Sequence, residues 1–109
     1  MNLNDYAEEC YRNAVSKGFW GAERNFGEMV ALMHSELSEA LEAHRAGEPE
    51  FYLDANGKPE GTSVELIDCL IRILDTLQRR IPEEFTVEDI LRAKMQYNSG
   101  RQMMHGKAY

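Results

Sequence analysis

Residues 63–81 constrain this chain more than any other segment. Placed at about 100° per residue, Val64, Leu66, Ile67, Cys69, Leu70, Ile71, Ile73, Leu74 and Leu77 cover roughly 220° of a helix. A helix that apolar has to be packed on several sides. In a chain of 109 residues, three further helices barely supply that cover. The pattern therefore predicts a central helix whose burial is completed by a second copy of the chain.

The rest of the sequence reads as helices separated by short breaks. The breaks are Gly18-Phe19-Trp20-Gly21, a longer span from Ala46-Gly47-Glu48-Pro49 to Gly61, and Ile81-Pro82. Between them the apolar spacing is helical, with almost no strand alternation. The first helix is expected over about 3–17, capped by Asn2 or Asn4 and stopped at Gly18. The second is expected over 26–45 behind Asn25, the third from Ser63 to before Pro82 with Thr62 as cap. The fourth runs from after Thr86 to Tyr97 or Asn98. The 47–61 connection has room for a short extended piece at Glu50–Leu53. The expected fold class is all-α: one four-helix domain spanning 1–109, with antiparallel packing.

Charge and composition exclude several classes. Nineteen Asp and Glu against twelve Lys and Arg give a net charge of −7, the opposite of the basic face a nucleic-acid-binding module carries. No apolar run approaches the roughly 18 residues of a membrane span. The N-terminus lacks the basic and apolar segments of a secretory signal. Cys10 and Cys69 are too few for a disulfide scaffold and have no Cys or His at metal-ligand spacing. They read as buried thiols in a reducing, cytoplasmic setting.

The second helix carries carboxylates where a core face belongs. With Glu36 at zero, Met29, Leu32, Met33, Leu37 and Ala40 span about −40° to +100°. Glu36 lies inside that arc and Glu39 at its edge. No Lys or Arg stands three or four residues from either, so the helix itself does not compensate this like-charge pair. The third helix repeats the pattern: Glu65 and Asp68 lie on its only polar stripe, with Arg72, Asp75, Thr76 and Arg79. Here other readings stand beside a functional one. Thr62 and Glu65 fit a capping box, and Asp68 and Asp75 can pair with Arg72 and Arg79 at i+4.

Taken together, Glu36-x-x-Glu39, 25 intervening residues and Glu65-x-x-Asp68 put four carboxylates on two helices joined by a loop long enough to reverse direction. An oxygen-only donor set favours Mg²⁺ or Mn²⁺ over zinc. A ferritin-like di-iron site requires Glu-x-x-His, and none of His34, His44 and His105 has Glu three residues before it. On the fourth helix, Lys94, Tyr97, Asn98 and Arg101 share the face that begins with Ile90 and Leu91. That face either complements the helix dipole or clamps an anion.

Glu-x-x-Glu followed by Glu-x-x-Asp on successive helices resembles the signature of the MazG-like, all-α nucleoside triphosphate pyrophosphohydrolases. The resemblance extends over Lys17-Gly18-Phe19-Trp20, Leu32–Ala40, Lys58-Pro59-Glu60-Gly61, Glu65–Asp68 and Ile71–Asp75. It ends in Lys94-x-x-Tyr97-Asn98-x-x-Arg101-x-x-x-His105-Gly106-Lys107. It implies a four-helix fold that assembles as a homodimer or homotetramer, with Mg²⁺ (Mn²⁺ as substitute) at Glu36, Glu39, Glu65 and Asp68. It also implies phosphate contacts from Lys94, Asn98 and Arg101, and cleavage of a nucleoside or deoxynucleoside triphosphate to the monophosphate and pyrophosphate. Such an activity suits removal of unwanted nucleotides from the pool. Glu36 or Glu39 is the expected base toward water. Phe19 and Trp20 are candidates to stack on the nucleobase, with Asn13 and His34 as further base contacts. Asp75 either supports the ligands from behind or simply pairs with Arg79. Two alternatives remain: a non-catalytic helical interaction protein, and a related pyrophosphohydrolase acting on phosphoribosyl-ATP.

Overall fold

The computed structural model describes residues 1–22 and 24–100. These contain four α-helices, α1 (Leu3–Ser16), α2 (Phe26–Arg45), α3 (Thr62–Arg80) and α4 (Val87–Ser99), and a two-stranded ribbon, β1 (Tyr52–Leu53) and β2 (Pro59–Glu60). The chain is thus all-α apart from that ribbon. No helix among the described residues is long and apolar enough to cross a membrane.

Local chemistry accounts for most of the helix starts. Asn2 accepts from the Asp5 amide at 3.0 Å while Asp5 accepts from the Asn2 amide at 3.0 Å, a reciprocal cap for α1. Asn25 accepts from the Glu28 amide at 2.8 Å to start α2. Thr86 and Asp89 repeat the reciprocal cap on α4. The ribbon pairs Tyr52 with Glu60 and Leu53 with Pro59. Its turn is held by Asp54, whose Oδ1 accepts from the amides of Asn56 (2.7 Å) and Lys58 (3.0 Å).

Helix α3 starts differently from the expectation. Gly61, not Thr62, is the N-cap, and no side chain caps the helix. The preceding loop supplies the acceptors: Pro49 O takes the Thr62 amide at 3.2 Å and Glu50 O takes the Ser63 amide at 3.0 Å. The Ser63 hydroxyl adds a bond to Glu50 Oε1 at 2.7 Å. The expected Thr62–Glu65 capping box is absent, because backbone carbonyls already fill the positions it would serve. Gly61 makes this approach feasible. Its φ is +124°, and a Cβ there would meet Glu50 O at 2.5 Å and Pro49 O at 2.6 Å.

Helix α3 is central, with α1 and α2 packed on it and no contact between those two. Both run antiparallel to it. Met33 O accepts from Cys69 Sγ at 3.6 Å, while Pro49 and Glu50 lie at the start of α3. On the other side, Ala7, Leu74 and Val87 form the buried cluster, flanked by Leu3, Cys10, Leu77 and Ile81. Cys69 is buried and Cys10 only half-buried; both are free thiols. Helix α4 is tied down at its first turn, where Val87 is buried, the Leu3 amide donates to Glu88 Oε1 (3.1 Å) and the Glu88 amide donates to Asn4 Oδ1 (3.0 Å). Beyond Glu88 its residues are exposed, and it does not touch α2.

The third helix buries only part of its apolar arc, including Cys69 and Leu74. Leu66, Ile67, Leu70 and Ile71 are 42–49% exposed, whereas Asp75 and Thr76, from the polar stripe, are 1% and 3% exposed. Helix α3 therefore turns its polar stripe inward over its second half and leaves an apolar face open.

The close approach at Gly61 is testable against a roomy glycine. Gly61→Ala should destabilise the protein by about 2–3 kcal/mol, since it combines a forbidden φ with overlap against backbone. Gly47, with φ +75° but nothing within 4 Å of a built Cβ, should cost only about 1 kcal/mol as Gly47→Ala. Urea denaturation of both variants measures the difference; equal costs would refute the role given to the Gly61 contact.

Candidate functional site

Antiparallel packing of α2 on α3 brings Glu36, Glu65 and Asp68 together. One carboxylate oxygen from each can be chosen so that all lie within 4.8 Å of one another. Glu36 and Glu65 are half-buried and Asp68 is exposed. Glu65 Oε2 is buried and has no hydrogen-bond partner.

The electrostatics are those of an uncompensated acidic cluster. Burial, followed by the neighbouring Glu39 and Asp68 carboxylates, pushes the Glu36 carboxyl up; Arg72 partly offsets this. Glu65 is pushed up by burial, Asp68, Glu39 and Glu36. Asp68 is raised by burial and Glu39, against a lowering pull from Lys58. Glu39 is thus a neighbour of all three without belonging to the converging set. Hard oxygen donors at this spacing, one of them without a partner, fit a divalent cation such as Mg²⁺ or Mn²⁺. Lys58 stands nearby, held by Glu60 at 3.1 Å.

The polar stripe of α3 continues past the cluster into a cage around Asp75. The sequence offered Arg79 as partner for Asp75 and Arg72 as partner for Asp68. Neither pair forms. Asp75 Oδ1 accepts from Trp20 Nε1 at 2.8 Å, and Oδ2 meets Arg72 at 3.4 Å. The reason is burial: Asp75 points into the α1–α3 side of the molecule, where the indole N–H reaches it. Desolvation raises its pKa, while Trp20, Arg72 and Arg79 pull it back. Phe19 packs edge-on against Trp20 with centroids 5.2 Å apart. Arg24 and Arg72 lie over Phe19 at 4.1 and 3.9 Å, and Arg79 lies over Trp20 at 4.3 Å. The two aromatics proposed for base stacking thus carry guanidinium groups on their rings.

Other candidates are more dispersed. Asn13 lines the same cavity as Phe19 and Asp75, together with Cys10, Lys17, Arg24 and Arg72. His34 is exposed on α2. Lys94 and Asn98 are on the exposed length of α4, away from α2; the Lys94 ammonium lies 5.2 Å from the Tyr97 ring centroid. Arg101 lies outside the described residues. The sequence reading missed Lys17 and Arg24. A basic residue on each side of a Gly-bounded aromatic pair is the signal that could have found them.

No family model, curated protein or solved structure matches this chain, and the reading of the site rests on its own geometry and chemistry.

Raised carboxyl groups make the metal-free protein sensitive to pH in a defined direction. Each such group favours the folded state while protonated and opposes it once ionised, so stability falls as pH rises from the ordinary carboxylate range through the elevated folded pKa. Glu65→Gln cannot ionise. In chelator, its melting temperature should match wild type near about pH 4 and exceed it increasingly toward about pH 8. A difference that does not vary with pH would mean that Glu65 is an ordinary solvated carboxylate.

Proposed function

We propose that this protein is a divalent-metal-dependent nucleoside triphosphate pyrophosphohydrolase. The observation that carries the reading is the convergence of Glu36, Glu65 and Asp68 from two helices, with Glu65 Oε2 buried and unpartnered. A polyanionic substrate cannot approach such a cluster on a protein of net charge −7 without a cation between them. Cleavage between the α- and β-phosphates, giving the monophosphate and pyrophosphate, rests on the MazG-like sequence resemblance.

Glu36, Glu65 and Asp68 hold the cation in this reading. A bound Mg²⁺ supplies charge neutralisation and acidification of water at neutral pH. Glu39, adjacent to all three but outside the converging set, is the carboxylate best placed to accept a proton from the attacking water. Arg72, which faces Glu36 and is stacked on Phe19, is fixed beside the negative charge that accumulates on the substrate. Lys94 and Asn98 lie on the exposed length of a helix that does not touch α2. They are assigned to phosphate contacts in a neighbouring copy. A homo-oligomer also covers Leu66, Ile67, Leu70 and Ile71, an apolar stripe larger than scattered surface residues account for.

Three results test this. Incubation with Mg²⁺ and a panel of ribo- and deoxynucleoside triphosphates should yield pyrophosphate and monophosphate. Phosphate and diphosphate would mean attack at the terminal phosphorus, and no product from any nucleotide would leave a non-catalytic interaction protein. Glu36→Gln should lower kcat by at least about 10²-fold. Light scattering at micromolar concentration should give a mass of two or more chains; a stable, active 12.5 kDa monomer would exclude the oligomer.

A further inference from the structure

Between α1, the Gly18–Gly21 turn and α3 lies an open cavity of about 470 Å³. In a protein of net charge −7, its described charged lining is Lys17, Arg24 and Arg72 against Asp75 alone. That carboxylate is already engaged by Trp20 Nε1 and Arg72. Arg24 Nε donates to the Phe19 carbonyl at 2.8 Å, and neither Arg24 nor Lys17 pairs with a carboxylate among the described residues. Arg72 Nε is buried with no acceptor at all. A buried guanidinium donor without a partner is costly. Acidic side chains are abundant in this chain, yet among the described residues Asp75 alone lines this cavity. Stacking on Phe19 holds Arg24 and Arg72 in place, which orders the cations before any ligand arrives.

We propose that this cavity is an anion subsite that takes a phosphate group, with Lys17, Arg24 and Arg72 as its donors. The chemistry fits phosphate: a guanidinium edge and an ammonium give charge-assisted bonds to several oxygens. The position of the cavity gives the ligand class. Arg72 also acts on Glu36 and stands one turn beyond Asp68 on α3, roughly 6 Å along the axis. A chain of phosphates therefore reaches from the carboxylate cluster into the cavity. This placement rests on the pyrophosphohydrolase reading, whereas anion binding by the cavity does not. The subsite assigns phosphate contacts within one protomer, separate from those given to α4. The same chemistry could come from a nucleotide or from inorganic polyphosphate.

The test is calorimetric titration of the full chain in chelator at low ionic strength, with tripolyphosphate, ATP and adenosine as probes. Tripolyphosphate and ATP should bind with similar affinity and adenosine should not bind. Lys17→Ala and Arg24→Ala should each weaken tripolyphosphate at least about 10-fold. Arg12→Ala, which removes a cation of α1 paired with Glu8 at 2.7 Å, should leave it unchanged. Lys17 is exposed, so its variant tests the site without endangering the fold. Absence of tripolyphosphate binding, or equal binding by the Lys17 and Arg24 variants, would overturn the subsite. So would adenosine binding as tightly as ATP, since the cavity would then take the base. If tripolyphosphate binds as described but no nucleotide is hydrolysed with Mg²⁺, the subsite stands and the enzymatic reading fails. If hydrolysis proceeds and KM is unmoved in both variants, the enzymatic reading stands and the subsite fails.

Discussion

The contact of Gly61 with the carbonyls of Pro49 and Glu50 governs what α3 can present. A side chain at that position would overlap both oxygens. Without one, the loop comes close enough to accept the first α3 amides, and the helix needs no side-chain cap. With Gly61 as N-cap, Glu65 lies one position beyond the residue whose side chain would fold back in a capping box. It faces Glu36 and Asp68.

The inward turn of the α3 polar stripe has consequences at both ends of the molecule. Toward α2 it buries and crowds carboxylates, and burial first, then the neighbouring negative charges, raise the carboxyl pKa values of Glu36, Glu65 and Asp68. Toward α1 it buries Asp75, which is compensated by the Trp20 indole N–H and the Arg72 guanidinium rather than by Arg79 at i+4. Arg72 links the two regions: it meets Asp75 at 3.4 Å, and its charge partly offsets the upward shift of the Glu36 carboxyl. The cost appears on the opposite face, where Leu66, Ile67, Leu70 and Ile71 stay in contact with solvent. Each is already about half-buried, so covering the rest would contribute about 1 kcal/mol per side chain. A protein that spends its central helix on a polar site in this way has a strong incentive to associate through the face left open.

Much of this was legible in the sequence because it is local. Helix boundaries followed from caps such as Asn25 and Thr86 and from breaks at Gly18 and Pro82. Like-charge spacing on two helices joined by a reversing loop leads to the expectation that Glu36, Glu39, Glu65 and Asp68 converge; Glu36, Glu65 and Asp68 do, and Glu39 stands beside them. What the sequence left open depends on contacts between distant segments. The cap of α3 comes from a loop more than ten residues upstream, which no i, i+3 rule anticipates. Asp75 had an obvious i+4 partner in Arg79, yet Trp20, 55 residues away in sequence, displaced it. The apolar face of α4, expected to pack inward, is exposed after Glu88. Helix periodicity shows which residues share a face. It does not show whether that face meets the same chain, another copy or solvent.

Anomalous diffraction from crystals grown with Mn²⁺ addresses the central claim most directly, because it locates a cation independently of any activity. The predicted result is a peak bounded by Glu36, Glu65 and Asp68, within roughly 2.0–2.6 Å of their oxygens, with Glu65 Oε2 among the ligands. A peak elsewhere, or none at these three side chains at saturating Mn²⁺, would contradict the assignment of the cluster as a metal centre.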